Sequence, residues 1–409
     1  MTSDTSYTRR FDERLPGLAG ERDTLRLTLE AMGDHTFDVD RYINSRQGRH
    51  FLEHNVLLDH TDGMDPRVLR FWRTFGKGLV KRLHDADTDA PWYSYVPVSA
   101  FAPENRDRRY PLLLQVNRKT DLVAETYGHV FEAARDEVIV VIPKAGPTMP
   151  GFVRDFSKPV YGDGPRELPP TDDLWHVLRR ATEELPSDTA RTYVTGFSFP
   201  GFRAVGLALR HPEAIAGVVL NAHLYPFIWD LPGGELAERA AQLHMPLINI
   251  AGLCDYGHPY PVHHEQFEET NNGHDHDRTA QEAVDHANFW FGLNDCPAVD
   301  LGTALETARF PDERAAERTI GVPSAAAATL RLDDTPHHFV DVTARDGVPR
   351  VRLVAIENCP HWPHGTFARL GWDFIRHFSR DPVSGASVWD GQPEPFAPRT
   401  ADGVPTAKS

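Results

Sequence analysis

The sequence predicts an α/β fold with a mostly parallel sheet covered by helices on both faces. From Trp92 to Arg380, short β-rich runs alternate with helical ones, a pattern typical of strands joined by crossover helices. Several β-rich runs are continuously apolar, as expected of strands buried on both faces. One run ends in the triplet Gly196-Phe197-Ser198, and a helical pattern begins directly after it.

The predicted strands are rich in β-branched and aromatic residues. They are Trp92–Val98, Tyr110–Val116, Glu137–Pro143, Arg191–Thr195, Ala216–Asn221, Leu247–Ala251 and Val351–Ile356. Helices are expected around residues 124–134 and after Thr171, a favoured N-cap residue that two aspartates follow. A last helix is expected to close the sheet through the apolar face of Phe367, Leu370, Gly371, Phe374, Ile375 and Phe378.

The chain of 409 residues has room for two or three domains at about 150 residues each, and one large α/β domain with insertions also fits this length. We expect a helical N-terminal extension over residues 1–90, in which Pro66 to Leu83 carries the clearest helical pattern. The α/β domain is expected over residues 91–380, with an insertion at about 256–345. Residues 381–409 form a tail rich in Pro, Gly and Ser.

Charge and composition exclude several functional classes. The 43 Lys and Arg against 59 Asp and Glu give a formal net charge of −16, so neither nucleic acid nor an anionic membrane is expected as a partner. No apolar run is long enough to span a membrane, and residues 1–17 lack the apolar core of a secretory signal. The three cysteines are too few for a disulfide framework. A cytoplasmic enzyme in a reducing compartment is the simplest expectation.

The segment around Ser198 predicts a nucleophile elbow. In such an elbow the serine lies on a sharp strand-to-helix turn, and small residues flank it where the two backbones nearly touch. Gly196 and Gly201 stand at these flanking places, and Pro200 falls in the first helical turn, where a missing N–H costs little. The turn exposes the hydroxyl at the carboxyl end of the sheet. A plain βα turn is the alternative interpretation.

A serine nucleophile needs a base, and the base needs an orienting carboxylate. Asp255 follows the predicted strand Leu247–Ala251, and His361 follows Val351–Ile356, so the order Ser, Asp, His along the chain fits such a triad. His364 is the second candidate for the base. Asp255 is alternatively a turn residue, since Asp is favoured where strands end.

The chain resembles the α/β-hydrolase superfamily, and within it the branch of polyhydroxybutyrate-depolymerase-like and feruloyl-esterase-like serine esterases. The resemblance covers residues 92–380. It is carried by Arg191–Ser198, Gly252–Asp255 with Pro259-Tyr260, Asn288–Asn294 with Cys296, His361–Pro363 and Trp372–Phe374. It implies an α/β-hydrolase fold, an acyl-enzyme mechanism and no cofactor or metal.

The sequence departs from this branch at three places. Pro200 replaces a glycine, and His361 directly precedes Trp362 where the branch usually has one intervening residue. Asn117-Arg118 replace the His-Gly pair whose neighbouring amides complete the oxyanion hole. We therefore expect the backbone amide of Phe199 as one oxyanion donor and a backbone amide near Arg118 as the other.

Aromatic residues near the elbow predict an apolar or aromatic ester substrate of small size. The expected substrate-binding residues are Phe197, Tyr225, Phe227, Trp229 and Trp362. A thioester or a lactone fits the same chemistry, and an acyltransferase using the same triad is a close variant. A non-catalytic binding protein with this fold is the alternative from a different class, kept open by the departures at Asn117-Arg118 and His361.

Two other features of the sequence have both a functional and a structural interpretation. The segment from His258 to Asp277 is rich in histidine, but its spacing matches no zinc motif, so a solvated loop is favoured over a metal site. Cys254 and Cys359 end neighbouring predicted strands, and buried thiols are the default expectation for them.

The N-terminal extension carries the apolar stripe Phe71, Trp72, Phe75 and Leu79, which must pack against something. We expect it to cover part of the active-site mouth or to form a homodimer contact. A helical buttress on the far side of the sheet is the alternative.

Overall fold

The computed structural model describes Glu30, Gly33 and residues 37–45, 79–84, 90–116, 137–143, 168, 170–198, 200–222, 233–255, 260, 280–332, 334–362 and 366–391. Within these residues the helices are α1 (Val39–Asn44), α2 (Asp172–Glu184), α3 (Pro200–Arg210), α4 (Gly234–Leu243), α5 (Ala280–Leu293), α6 (Leu301–Thr307), α7 (Ala315–Ile320) and α8 (Phe367–Ile375). Short 3₁₀ turns lie at Val98–Phe101, Pro103–Asn105 and Asp312–Arg314.

A ten-stranded sheet with the order β1-β2-β4-β3-β5-β6-β7-β10-β9-β8 organises the described residues. Its strands are β1 (Leu79–His84), β2 (Trp92–Pro97), β3 (Tyr110–Val116), β4 (Ile139–Pro143), β5 (Ser187–Phe197), β6 (Gly217–Asn221), β7 (Leu247–Gly252), β8 (Ala326–Leu332), β9 (Thr335–Thr343) and β10 (Pro349–Ile356). A separate ribbon pairs β11 (Phe378–Arg380) with β12 (Ser387–Trp389).

The centre of the sheet, from β4 to β10, is parallel, and both edges are antiparallel. The central strands are buried over almost their whole length, which explains why their sequences are continuously apolar. Because these strands run in one direction, the turns after β5, β7 and β10 emerge at the same edge of the sheet. Ser198, Asp255 and His361 follow these strands.

Each face of the sheet carries its own apolar core. One core holds α2, α3, α5 and α7 against the sheet through residues such as Val205, Phe291 and Ile320. The other core holds α8 through Phe367, Leu370 and Phe374. A mostly parallel sheet covered on both faces, with a strand-turn-helix elbow at its centre, is the α/β-hydrolase fold that the sequence predicts.

The prediction of a helix from Pro66 to Leu83 was wrong over its last residues. Residues 79–83 belong to the edge strand β1, which pairs antiparallel with β2. The His84 ring stacks on Trp92 at 3.7 Å between ring centroids, and the Lys81 ammonium lies 4.5 Å from the centre of the Tyr93 ring. These contacts with a strand further along the chain decide the conformation, which local periodicity does not reveal. Residues 46–78, with Phe71, Trp72 and Phe75, lie outside the described residues.

The sheet also extends beyond the bounds expected for the α/β domain. It begins at Leu79, within the predicted N-terminal extension, and β8 and β9 lie within the predicted insertion. β12 belongs to the predicted tail and pairs with β11. The expected helix at residues 124–134 lies outside the described residues, whereas the helix after Thr171 is present as α2. In the part of the chain that the structure describes, no helix has the length and apolar character needed to cross a membrane.

The contact between α8 and β6 gives a test of the packing. A Cβ built on Gly371 would lie 2.7 Å from Cγ1 of Val219, and a β-branched side chain on a strand has little freedom to move away. We expect Gly371→Ala to lower the free energy of unfolding by about 1–3 kcal/mol in denaturant titrations. Adding Val219→Ala removes the clashing methyl groups, so the double variant should be more stable than the sum of the two single effects predicts.

Gly292→Ala is the matched control, because nothing lies within 4 Å of a Cβ at that helical position. Unchanged stability in Gly371→Ala would mean that α8 does not pack this closely on β6.

Candidate active site

Ser198 lies in a strained turn between β5 and α3. Its φ of 57° is in the left-handed region, which is uncommon for a residue with a side chain. Two hydrogen bonds hold the turn: the Ser198 N–H donates to the Asn221 carbonyl at 2.8 Å, and the Gly201 N–H donates to the Ser198 carbonyl at 2.9 Å. A Cβ on Gly196 would lie 2.6 Å from the Gly201 nitrogen, so only glycine lets the strand and helix approach this closely. The sharp strand-to-helix turn that the sequence predicts at Ser198 is therefore present.

Asp255 follows β7 and is fully buried. Its loop is tied to the loop that follows β10 by two backbone hydrogen bonds: Leu253 N–H donates to the Ile356 carbonyl at 2.9 Å, and Cys254 N–H to the Cys359 carbonyl at 3.0 Å. The acid and the histidine therefore lie on two loops that are joined directly beyond the end of the strand pairing.

His361 joins the acid to the serine through a continuous chain of hydrogen bonds. Its Nδ1 lies 2.9 Å from Oδ2 of Asp255, and its Nε2 lies 2.7 Å from Oγ of Ser198. A carboxylate only accepts, so Nδ1–H donates to Asp255 and Nε2 is left to accept from the serine hydroxyl. The imidazole is 6% exposed. The structure thus brings together Ser198, Asp255 and His361, whereas His364 lies outside the described residues.

Two more histidines hold the loop around His361. His337 is fully buried: Nδ1–H donates to the Thr335 carbonyl at 2.8 Å, and Nε2 accepts from the Thr366 hydroxyl at 3.0 Å. Burial lowers the pKa of His337 to about 4, so this ring is neutral near pH 7. His338 donates to Glu357 at 3.1 Å, and this hydrogen bond holds the pKa of that carboxyl below its usual range. Neither histidine stood out in the sequence.

A buried tyrosine anchors the chain just after Asp255. The Tyr260 hydroxyl reaches the backbone between β7 and β10, where it lies 2.8 Å from the Val354 carbonyl and 3.0 Å from the Asn249 carbonyl. It also accepts from the Val354 N–H at 3.1 Å. Burial raises the pKa of this phenol far above its ordinary value. Tyr260 therefore fixes where the chain returns to the sheet after the acid.

A cavity of about 20 Å³ lies below the elbow, between the sheet and α8. Three buried polar side chains, Gln115, Thr195 and Asn221, face it, and Asn221 Nδ2 donates to Oγ1 of Thr195 at 3.2 Å. This volume is enough for a water molecule but not for an acyl group.

The remaining predicted site residues divide into two groups. Phe197 is partly buried, with its ring centroid 5.3 Å from that of His361, and Trp362 is buried beside that histidine. The other predicted residues lie outside the described residues. They are the expected oxyanion donors (Phe199, Arg118), the aromatic residues in the segment that follows β6 (Tyr225, Phe227, Trp229) and, apart from Tyr260, the histidine-rich segment 258–277.

The three cysteines are buried, and within the described residues none of them forms a disulfide. Cys254 and Cys359 lie close together, as expected, and burial raises the pKa of the Cys359 thiol well above its ordinary value. Among the described residues, no group of three or more His, Cys, Asp or Glu side chains is arranged to hold a metal ion.

The protein therefore has an α/β-hydrolase fold, and Ser198, His361 and Asp255 are arranged in it like a catalytic triad. No family model matches the sequence, and no curated protein matches it. Solved structures of esterases and serine hydrolases are similar to it.

A thermostable esterase is 18% identical, with a TM-score of 0.31 over 44% of this chain and 47% of that chain. The chain thus matches about half the length of that esterase. A ferulic acid esterase is 15% identical, with a TM-score of 0.31 over 43% of this chain and 78% of the other. FphF, a fluorophosphonate-binding serine hydrolase from Staphylococcus aureus, is 13% identical, with a TM-score of 0.34 over 53% of this chain and 98% of the other. Because the TM-scores are below 0.35, the fold is assigned from the strand order of the sheet and from the strand-to-helix turn at Ser198.

The junction between the acid and histidine loops gives a second test. A Cβ on Gly252 would lie 2.1 Å from the Cys359 carbonyl oxygen, a backbone atom that moves only with its loop. We expect Gly252→Ala to separate the two loops and to lower the free energy of unfolding by about 1–3 kcal/mol. Hydrogen exchange should show faster exchange of the Cys254 amide, because its bond to the Cys359 carbonyl is lost.

Gly233→Ala serves as the control, since a Cβ at that position meets nothing within 4 Å. Unchanged exchange at Cys254 in Gly252→Ala would contradict the close junction.

Proposed function

We propose that the protein is a serine hydrolase that cleaves a carboxylic ester through an acyl-enzyme. The observation that carries this proposal is the continuous hydrogen-bond chain from Asp255 through His361 to the hydroxyl of Ser198, which lies on a strained elbow. Nucleophile, base and orienting acid are within hydrogen-bond reach of one another, as this chemistry requires. Strain at a serine in this position is typical of a functional site.

In the proposed reaction, Oγ of Ser198 attacks the ester carbonyl carbon and its proton passes to Nε2 of His361. The buried carboxylate of Asp255 accepts the hydrogen bond from Nδ1–H and stabilises the imidazolium that forms. The imidazolium then gives its proton to the leaving alkoxide, and the alcohol departs. A water molecule attacks the acyl-enzyme by the same route, giving the carboxylic acid and free Ser198.

The negative charge on the carbonyl oxygen needs hydrogen-bond donors. In the proposal these are the backbone amide of Phe199, the residue after Ser198 in the sequence, and an amide near Arg118. The left-handed conformation of Ser198 supports the choice of the Phe199 amide as a donor, because it turns the chain from the strand into the helix at this point.

The proposed substrate is a small ester with an apolar or aromatic group, and a thioester or lactone fits the same site. The partly buried Phe197 ring, whose centroid lies 5.3 Å from that of His361, supports this choice. Transfer of the acyl group to an alcohol or amine instead of water uses the same acyl-enzyme.

The non-catalytic alternative is less favoured by the geometry. One of the two reasons to consider a binding protein is that His361 directly precedes Trp362. This spacing leaves the hydrogen bonds of His361 to Ser198 and Asp255 intact. A binding protein would have no need for a strained serine joined to a buried acid through a histidine.

Replacing the nucleophile tests the proposal. We expect Ser198→Ala to lower kcat on p-nitrophenyl acetate and related esters by a factor on the order of 10³ or more. A fluorophosphonate probe should label the wild-type protein and not the variant. The melting temperature should change little. Ser379→Ala, on β11, is the control and should behave as wild type. A folded wild-type protein that neither hydrolyses esters nor takes up the probe would favour the binding protein.

Acid pH should abolish activity, because a protonated imidazole cannot accept the proton of Ser198. We expect His361→Ala to be inactive from pH 5 to pH 9 and His364→Ala to keep the wild-type pH profile. His337 does not produce the acid limb, because its pKa of about 4 leaves it neutral over this range. Loss of activity in His364→Ala alone would transfer the base to that residue.

A further inference from the structure

The N-terminal part of the chain reaches both loops that carry the proposed acid and base. Gly33 forms an isolated antiparallel β-bridge with Asp255 itself. Asp38 contacts Asn358, three residues before His361. We call Gly33 and residues 37–45 the N-terminal clamp. It lies at the carboxyl edge of the sheet, where the triad is.

The contact between Asp38 and Asn358 is reciprocal. The Asp38 N–H donates to Oδ1 of Asn358 at 2.8 Å, and Nδ2 of Asn358 donates to the Asp38 carbonyl at 3.1 Å. The amide side chain thus pairs with the backbone of the clamp as a neighbouring strand would. Two bonds on one planar amide fix its orientation as well as its position. Asn358 also has a φ of 48°, so the chain turns sharply at this point towards His361.

The clamp is itself well supported. The Asp38 side chain caps α1 by accepting from the Arg41 N–H at 2.9 Å. The ring of Phe37 packs edge-on against that of Tyr42, with 5.6 Å between centroids, and Tyr42 is 3% exposed. A Cβ on Gly33 would lie 2.6 Å from the Phe37 side chain, so this close packing depends on the glycine.

The charge of Arg41, in the clamp, also acts electrostatically on the loop that follows β10. After the hydrogen bond from His338, the Arg41 guanidinium also helps to lower the pKa of Glu357, the residue before Asn358. The hydrogen bond from His338 ties the same loop to β9.

The loops need such support because both extend beyond the strand pairing. β7 and β10 stop pairing at Gly252 and Ile356, while Asp255 and His361 lie further along the chain. From inside the fold the loops are held to each other by Cys254 and Cys359, and the clamp contacts each of them separately. An error of about 1 Å between catalytic groups is enough to cost about 10²-fold in rate.

We propose that the N-terminal clamp positions Asp255 and His361 relative to Ser198, with Asn358 as a positioning residue that acts through its pairing with Asp38. The expected effect of the clamp on kcat rests on the proposed hydrolase function. The expected effect on the hydrogen bond between His361 and Asp255 does not rest on that function, because the bond forms whether or not the protein is an enzyme.

The test removes the amide without straining the backbone. Asn358→Gly deletes both hydrogen bonds and tolerates the positive φ. In the full-length protein we expect kcat to fall on the order of 10-fold with KM within about twofold of wild type, since the loss affects alignment rather than substrate binding. The NMR signal of the His361 Nδ1 proton should broaden or disappear, because the proton is no longer held on Asp255 and exchanges with water.

Asp334→Gly is the matched control. Asp334 also has a positive φ, 66°, and is exposed in the turn between β8 and β9. It should keep the wild-type kcat and the wild-type Nδ1 proton signal. This control separates the loss of the Asn358 amide from the general effect of a new glycine at a left-handed position.

A second variant approaches the clamp from its other contact. Gly33→Ala forces Phe37 to move and should disturb the bridge to Asp255. We expect the same loss of kcat and of the proton signal. The double variant Gly33→Ala/Asn358→Gly should be little worse than either single variant, because both changes release the same clamp.

The proposal is overturned if Asn358→Gly and Gly33→Ala keep both the wild-type kcat and the proton signal. A lower kcat with an unchanged signal also overturns it, because the damage then does not act through the pair of His361 and Asp255. If the wild-type protein proves inactive on esters, the proposed function fails and the proton signal alone decides on the clamp. If Asn358→Gly does not fold, Gly33→Ala provides the same two measurements.

Discussion

The parallel pairing of β7 with β10 is the constraint on which the site depends. It places two chain segments more than 90 residues apart in register, Leu247 opposite Val351 and Gly252 opposite Ile356. Because both strands run the same way, the loops that carry Asp255 and His361 leave the sheet side by side. The missing side chain of Gly252 then lets the Cys359 carbonyl approach, and the Cys254 N–H bonds to that carbonyl. A slip of one residue in this register would turn every side chain of a strand to the opposite face.

The strain at Ser198 is balanced by its surroundings. The Asn221 carbonyl accepts from the Ser198 N–H, and the Asn221 side chain donates to Thr195, so the end of β6 supports the elbow through both backbone and side chain. The adjacent helix α3 is buried along almost its whole length, which prevents the turn from relaxing. A conformation that costs about 1–3 kcal/mol at one residue persists only where neighbouring contacts determine it in this way.

Asp255 and the buried histidines near it are hydrogen-bonded to protein groups rather than solvated. Asp255 and His337 are completely buried, and each has a defined hydrogen-bond partner. Buried carboxylates and imidazoles are expensive unless they are paired, and once paired they hold one geometry in place. Hydrogen bonds join Asp255 to His361, His337 to Thr366, and Asn358 to Asp38 of the clamp at the carboxyl edge of the sheet. Such preorganisation is what a site needs when charge develops during a reaction.

Local patterns in the sequence were enough to predict the central strands, the elbow and the order Ser198, Asp255, His361. A buried parallel strand is apolar along its whole length, and the turn after it needs small residues, so these features are visible in a single stretch of chain. The strand β1 and the extent of the sheet were not predictable in this way. Leu79 to Leu83 has a helical pattern, and only pairing with β2 makes it a strand.

The same distinction applies to the site. Sequence order left both His361 and His364 open as the base, whereas the tertiary structure places His361 between Ser198 and Asp255. Asn358 carries no recognisable motif, because its partner Asp38 lies 320 residues away along the chain. The sequence by itself determined which segments form buried strands and which turn carries the serine, since those depend on neighbours in the chain. Only the tertiary structure decided which distant side chains contact the loops of Asp255 and His361, since those contacts exist only after the strands have paired.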